Sequence, residues 1–267
     1  MKKILLLVCL CQVSFGQSRL RSFMSERKTK RENRWASEHV YKTSALSLTY
    51  QTVQQQVFSE NQFGGLGFSF FNDNLTDRPK IQRGFEQTIA ANFLLKAPKS
   101  ESNTNAIDIQ IGFYKLKKLK NPNLSIGGQL NFILGARVNT NYDNNSVSGE
   151  AIIEFAPKLR YRKEVSFLSI PLGIDYSLTA SALGIALWTP TFTSNFTLIG
   201  KGFLPPTNYN HFNSRLLVSL PSGKRFPNKQ LTFGYGWNAY ILKANSEQNI
   251  INATHTIYLI ANLHKIK

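Results

Sequence analysis

The chain has 267 residues, of which 42% are hydrophobic, and it carries a formal net charge of +17. After the first residues, no uninterrupted apolar run reaches the roughly 20 residues that a membrane-spanning helix needs, which excludes a helical membrane protein. A basic balance of this size favours anionic partners, such as an anionic membrane surface, an acidic protein or nucleic acid.

The first residues, 1–16, have the pattern of a secretory signal peptide. Two lysines precede an apolar run over residues 4–10, and small residues follow at Ser14 and Gly16. A membrane anchor would need a longer run, and a lipoprotein signal would carry a small residue before one of the two cysteines. Both cysteines fall inside this segment, so we expect a mature chain without disulfides, a thiol nucleophile or a cysteine metal site. Export also argues against nucleic acid as a partner.

Residues 17–43 form a basic segment that we expect in the periplasm or folded into a barrel lumen. One interpretation is solvated charge that flanks a membrane, and the other is a docking surface for lipid phosphates or an acidic periplasmic partner. The candidate partner-docking residues are Arg27, Lys28, Lys30, Arg31 and Arg34.

From residue 44 to residue 267 the hydrophobic period is close to two, which indicates β-strands. Leu124–Val138 alternates over 15 residues with one exception, Ile133, whereas soluble strands usually have about 5–6 residues. Similar stretches predict about a dozen strands, although the crowded region Val165–Gly200 could hold one hairpin fewer. Turns are predicted at Asn121–Asn123 and at Lys163-Glu164.

These features predict an all-β fold, a transmembrane antiparallel up-and-down β-barrel of about 12 strands, in the outer membrane of a Gram-negative bacterium. A soluble β-sandwich would also alternate, but its strands are usually shorter and carry fewer charges in mid-strand. Aromatic residues near predicted strand ends also favour the barrel, because an interfacial girdle would lie there. The expected girdle residues are Phe70, Phe71, Phe93, Tyr114, Tyr161, Trp188 and Tyr240.

Charges on the polar faces of predicted strands are expected to line the lumen. These are Asp108, Arg137, Glu154, Lys158, Arg160 and Asp175. Because they carry both signs, we expect them to pair across a small barrel and close it, since open aqueous channels are found in barrels of 16–18 strands. A plugged scaffold is therefore favoured over an open pore.

The sequence offers no recognisable catalytic or metal-binding pattern. The four histidines are far apart, so no metal site is predicted and no cofactor is expected. A lipid hydrolase that uses histidine and serine on one strand needs them two residues apart, whereas His211 and Ser214 are three apart. We interpret His211 as the start of a strand beside the interfacial belt, and we expect a protein that is not an enzyme.

The segment Gly64–Asp73 reads Gly-Gly-Leu-Gly-Phe-Ser-Phe-Phe-Asn-Asp, and a later strand carries Gly127-Gly128. With a signal that ends Phe15-Gly16-Gln17, this resembles the PorP/SprF family of type IX secretion membrane proteins, which have such a hairpin after an early barrel strand. The resemblance implies a barrel that partners with periplasmic or secreted machinery.

Three functions stay open. The favoured one is a structural or accessory subunit of a protein export or outer-membrane assembly complex, with outer-membrane lipid and other outer-membrane or periplasmic proteins as partners. The second is a channel or transporter for small or hydrophobic solutes. The third and least favoured is a lipid hydrolase.

Overall fold

The computed structural model describes residues 39–55, 62–97, 103–139, 146–168, 170–189, 199–205, 207–220, 230–245 and 248–266. Among these residues, no helix is long and apolar enough to cross a membrane. The strands are β1 (His39–Gln55), β2 (Gln62–Asp77), β3 (Ile81–Lys96), β4 (Asn103–Lys118), β5 (Leu124–Asn139), β6 (Ser146–Phe167), β7 (Ile170–Ala180), β8 (Leu183–Thr189), β9 (Ile199–Leu204), β10 (Tyr209–Leu220), β11 (Gln230–Asn245) and β12 (Gln248–Ile266).

The strands form one closed antiparallel barrel. Consecutive strands pair from β1 to β7, β7 pairs with β10, and β11 and β12 follow. β12 pairs with β1 from Val40↔Ile266 to Gln55↔Ile250, which closes the sheet on itself. Closure leaves no open edge along this ring. The first barrel strand begins at His39, within the segment 17–43 that the sequence assigns to the N-terminal region.

Ten strands complete the ring, and β8 and β9 are two additional segments. β6 pairs with β7 through residues 158–167 and with β8 through residues 149–155, so β7 and β8 follow one path along β6. β9 pairs with β8 in the same way that β10 pairs with β7. The described residues thus contain about the 12 strands that the sequence predicts, of which ten close the ring and two, β8 and β9, are additional.

Both extra segments arise from local interruptions. Pro157 of β6 has no N–H to donate, and opposite it the ladder resumes where the Ala182 N–H donates to the Phe155 oxygen at 3.0 Å. Between β9 and β10, the N–H groups of Asn208 and Tyr209 donate to the Pro205 oxygen at 2.9 and 3.1 Å. Two interrupted strands therefore produce the sequence pattern of four short ones.

The two faces of the wall differ in chemistry, as period-two alternation dictates. On β5, Leu130 and Leu134 are 41% and 50% exposed on the outside, whereas Asn131 and Arg137 are 0% and 2% exposed on the inside. Ile133, the exception in the sequence pattern, is an apolar residue buried inside. Leu124–Val138 thus forms a wall strand with an apolar outer face.

One predicted turn is wrong. β6 continues through Lys163 to Phe167, so the predicted turn there does not exist. Gly64–Asp73 lies inside the single strand β2, without the hairpin that the family resemblance implies. A Cβ at Gly67 would collide with the Ala91 oxygen and with Asn92, so this glycine permits the close approach of β3 at a register shift.

The predicted aromatic girdle is only partly on the outside. Phe70 and Phe93 are 44% and 54% exposed on the outer face. Four of the other expected girdle residues are buried in the interior: Phe71, Tyr114, Trp188 and Tyr240. Aromatic side chains therefore fill the narrow lumen as well as covering the wall.

Candidate functional site

The interior of the barrel is filled by charged and hydrogen-bonded side chains. All six charges that the sequence assigns to the lumen lie on the inner face: Asp108, Arg137, Glu154, Lys158, Arg160 and Asp175. Four of these residues are at most 2% exposed, and the side chains of Asp108 and Asp175 are 18% and 15% exposed. They are joined by further charged residues into two layers.

The first layer lies toward the end of the barrel that carries the connections 78–80, 119–123 and 168–169, here called the tight-turn end. Its charged members, here called the basal layer, are Asp73, Glu86, Lys158, Arg160, Asp175 and Arg215. They come from strands β2, β3, β6, β7 and β10. The layer therefore crosses the lumen from one wall to another.

Arg160 is the centre of the basal layer. Its Nη2 lies 2.9 Å from Asp73 and 2.5 Å from Asp175. Its Nη1 donates to the Tyr114 hydroxyl at 2.8 Å, and that hydroxyl donates to Asp73 at 2.8 Å. The charge-assisted bonds of one guanidinium thus connect four strands, which is the planar geometry for which arginine is suited.

Glu86 links the remaining cations of the basal layer. Its carboxylate lies 2.6 Å from Lys158 Nζ and 2.8 Å from Arg215 Nη2. Lys158 also donates to Gln129 at 2.8 Å, and the Arg215 guanidinium lies 4.1 Å from the centre of the Phe71 ring. Three cations therefore face three carboxylates, and each buried ion has partners, as burial of charge requires.

A second group, here called the upper layer, lies toward the opposite end. It consists of Asp108, Arg137 and Glu150 together with Gln51, Tyr240 and Asn252. Arg137 Nη1 donates to Glu150 at 2.5 Å, and Nη2 donates to Asp108 and to the Tyr240 hydroxyl, each at 3.0 Å. One cation here serves two carboxylates.

A hydrogen-bonded pair of a histidine and a glutamate, His211 and Glu154, lies on the inner face as well. His211 Nδ1 is 2.6 Å from Glu154, and Nε2 is 2.6 Å from Asn238. Asn131 donates to Glu154 at 2.5 Å. The interpretation of His211 as a residue beside the interfacial belt is therefore wrong, because its side chain is buried inside the barrel.

This histidine is held as a general base would be, but in the part of the chain that the structure describes no serine completes the arrangement. A carboxylate orients the ring at Nδ1, as in nucleophilic catalysis. Nε2, where a hydroxyl nucleophile would stand, instead meets the amide oxygen of Asn238. Ser214 pairs with Trp237 on the outward-facing register of the wall, away from His211. The residues His211 and Ser214 are therefore not brought together.

A small cavity of ≈ 50 Å³ separates parts of the two layers. Asp108, Tyr240 and Asn252 line it from the upper layer, and Arg215 lines it from the basal layer. The space admits water-sized molecules.

Sequence reasoning missed several members of the interior network. Asp73, Glu150 and Arg215 are as deeply buried in ion pairs as the predicted residues. The sequence signal that could have placed them is their spacing. Asp73 is two residues from the inward-facing Phe71 and Leu75, and Arg215 is two residues from the inward-facing Leu217. Those inward neighbours are apolar, which conceals the polar face. The predicted docking residues, Arg27, Lys28, Lys30, Arg31 and Arg34, lie outside the described residues.

Among the described residues, no group of three or more histidine, cysteine, aspartate or glutamate side chains could hold a metal ion. No protein-family model matches the chain, and no curated protein matches it. Similar folds are found among solved outer-membrane barrels. The outer membrane protease OmpT from Escherichia coli is 9% identical with a TM-score of 0.49, over 85% of this chain and 97% of that one.

Two further structures are similar. The translocator domain of the autotransporter NalP from Neisseria meningitidis is 7% identical with a TM-score of 0.47, over 92% of this chain and 98% of that one. OccK5 (OpdH) from Pseudomonas aeruginosa is 9% identical with a TM-score of 0.21, over 87% and 99%. No residue role is taken from these proteins.

The expectation that the protein is not an enzyme is corrected by these comparisons. The expectation depended on a barrel without a catalytic pattern in its sequence. An outer-membrane protease is among the solved barrels to which this chain is similar.

Proposed function

We propose that this protein is an outer-membrane β-barrel that serves as a structural or accessory subunit of a protein export or outer-membrane assembly complex. The observation that carries the proposal is the inversion of the wall: large apolar side chains cover the outside while charged side chains are buried inside. Soluble monomers rarely expose so much contiguous apolar surface. Lipid against the outer face would remove that surface from water.

The filled interior supports an accessory role over diffusion through a pore. The basal layer joins side chains from opposite walls by ion pairs of 2.5–2.9 Å. Opening a path through it would break several buried charge-assisted bonds, each of which is strong where water is excluded. The outer wall and the two ends are then the surfaces left for partners.

The partner side of the proposal comes from the sequence. The basic segment 17–43 offers a docking surface for an acidic periplasmic protein or for lipid, and the resemblance of Gly64–Asp73 to the PorP/SprF family favours type IX secretion as the setting. Both belong to the proposal. A small-solute channel is the alternative that the first experiment below distinguishes.

The lumen is tested by conductance in planar lipid bilayers. We expect the refolded protein to insert without a stable open conductance, because the basal layer closes the lumen. The double variant Lys158→Ser/Arg160→Ser removes two long side chains from that layer and should conduct, whereas Lys96→Ser/Lys243→Ser, at exposed positions, should stay silent. A stable conductance of the unaltered protein would contradict the closed lumen and favour the channel.

The partner hypothesis is tested by deletion of residues 18–38, which stops before β1 begins at His39. Detergent extracts containing the unaltered or shortened protein are purified by the same tag, and co-eluting proteins are identified. We expect an outer-membrane or periplasmic partner to be lost from the shortened protein while its barrel remains folded. Unchanged recovery of every partner contradicts docking by this segment.

A further inference from the structure

The hairpin of β6 and β7 extends past the neighbouring strands at the tight-turn end. The Arg162 N–H donates to the Asn123 oxygen at 2.8 Å, which is where β6 passes the turn between β4 and β5. Beyond this bond β6 continues to Phe167 and, among the described strands, pairs with β7 alone. That extension measures about 16 Å along the strand. β7 in turn pairs with β10 only from Gly173 onward.

The end of this hairpin is apolar and exposed. It consists of Phe167, Leu168 and Ile170, here called the hairpin tip, and their exposed fractions are 63%, 81% and 47%. Leu168 is the most exposed large apolar residue in the described part of the chain. Clustered apolar side chains in contact with water are uncommon on soluble surfaces and usually mark an interaction site.

The hairpin tip also contains a strained backbone position. Phe167 pairs with Ile170, so a two-residue connection joins the strands. The favoured connections of this length have positive φ at their first position and place Gly, Asn or Asp there. Leu168 instead occupies that position with φ of 49°, and no other described non-glycine residue has positive φ. The strain displays a large apolar side chain at the apex, as is typical of functional sites.

Lipid is a poor partner for the hairpin tip. The last exposed large apolar residue of the wall on β6 is Phe155. Between Phe155 and Phe167, the side chains of Lys163 and Glu164 are exposed, and charged side chains are costly to place in hydrocarbon. The hairpin tip therefore lies beyond the charged end of the wall, where a protein is the partner that can cover it.

The shape and the surrounding charge define that protein. Two convex tips from two copies of the chain would bury little against each other, whereas a stable interface covers about 800 Å² on each partner. A pocket that encloses the tip desolvates its side chains fully, which is how apolar anchors contribute most. Lys120 and Lys163 are exposed beside the hairpin, and positive charge there favours an acidic rim on the partner.

We propose that the hairpin tip docks into an apolar, acidic-rimmed pocket on a periplasmic protein. The inference rests on the proposed function, because it names the surface by which the accessory subunit holds its partner. Phe167, Leu168 and Ile170 enter the pocket, and the two lysines face its rim.

The first test is photo-cross-linking of the full chain in the cells that produce it. The photoreactive amino acid is placed at position 168 or, as a control, at position 81, where Ile81 is 37% exposed at the same end of the barrel. We expect position 168 to form an adduct with a protein that position 81 does not capture. Adducts with phospholipid alone or with a second copy alone, or no adduct, overturn the proposal.

The captured protein is then purified, and its affinity for the full barrel in micelles is measured. Leu168→Gly should raise Kd on the order of tenfold or more, because it removes the apical anchor. The same change should leave the midpoint of urea unfolding unaltered or raise it, because glycine adopts positive φ without strain. Unchanged affinity of this folded variant overturns the proposal.

A matched pair of variants separates the hairpin tip from other apolar residues at the same end. Ile170→Ser should also raise Kd, whereas Ile81→Ser makes the same chemical change and should not. Equal effects of both changes overturn the hairpin tip as the docking surface. Kd of the unaltered protein should rise with salt, because salt screens the lysines from an acidic rim. A Kd that does not respond to salt contradicts that rim.

Co-purification from detergent extracts distinguishes this inference from the proposed function. If the unaltered protein recovers partner proteins and Leu168→Gly recovers all of them equally, the docking role of the hairpin tip is wrong while the accessory role stands. If the unaltered protein recovers no partner protein, the accessory role fails together with the inference.

Discussion

The basal and upper layers both bury an arginine among carboxylates, but they differ in how many cations contact those carboxylates. In the basal layer, Asp73 lies 3.9 Å from Arg215 as well as close to Arg160, and Asp175 lies 3.2 Å from Arg162. In the upper layer, Arg137 is the one described cation that contacts Glu150 and Asp108. The basal layer is therefore redundant, whereas the upper layer depends on a single side chain.

The largest effect is expected for Arg137→Met. This change leaves two buried carboxylates without a cation, which typically costs about 3–5 kcal/mol. The free energy of unfolding is measured by urea titration of the refolded barrel in micelles, followed by tryptophan fluorescence. The triple variant Arg137→Met/Asp108→Asn/Glu150→Gln should recover much of the loss, because it removes the unpaired charges too. A loss that persists in the triple variant would point to packing.

Arg160→Met should cost less, about 2 kcal/mol, because Arg215 and Arg162 remain near the two carboxylates that lose their partner. The same urea titration gives the comparison with Arg137→Met. Adding Arg162→Gln should lower stability by more than the sum of the single changes, since Asp175 then loses both cations. Strict additivity, or a larger loss than for Arg137→Met, would show that the basal layer is not redundant.

Two tyrosine variants sharpen the comparison at the level of hydrogen bonds. The Tyr240 hydroxyl contacts Glu150, Arg137 and Asn252, so Tyr240→Phe should lower the free energy of unfolding by about 1–2 kcal/mol. Tyr114→Phe loses contacts to Asp73 and Arg160, whose charges stay paired. Its cost should be nearer to 1 kcal/mol. The reverse order would contradict the contrast between the layers.

The smallest effect is expected for Gly135→Ala, about 1 kcal/mol. A Cβ at Gly135 would collide with the Glu150 carboxylate and press on Arg137 Nη1, so the upper layer must shift. The control is Gly173→Ala on β7, where the nearest side-chain atom, Ser219 Cβ, would lie at an ordinary 3.5 Å. Equal stability of both variants, in the same titration, would show that the upper layer adjusts without cost.

Much of the wall could be predicted from the sequence because lipid-facing and lumen-facing positions must alternate. This rule places Arg137 inside and Leu134 outside from the pattern of β5 alone. It fails where a residue type serves both faces: Phe71 and Phe70 are adjacent aromatics, one 1% and one 44% exposed. The girdle prediction was wrong for this reason.

The partners inside the lumen could not be predicted, because they come from strands that are distant in sequence. Arg215 meets Glu86 across 129 positions, and no local pattern records such a contact. Glu150 directly follows the polar stretch 139–149, although β6 already begins at Ser146. Interrupted strands likewise obscure the number of strands in the barrel, because the break at Ser181 cannot be distinguished from a turn in the sequence alone.

The seam between β1 and β12 has a consequence for how the barrel folds. Most neighbours in the ring are hairpins that a growing chain can form one after another, but Val40 pairs with Ile266 and Gln55 with Ile250. Closing a loop of nearly the whole chain carries a large entropic cost and slows folding. Until that step, both terminal strands offer unpaired backbone to other molecules. The pairing of β12 with β1 thus controls when the barrel ceases to be prone to aggregation.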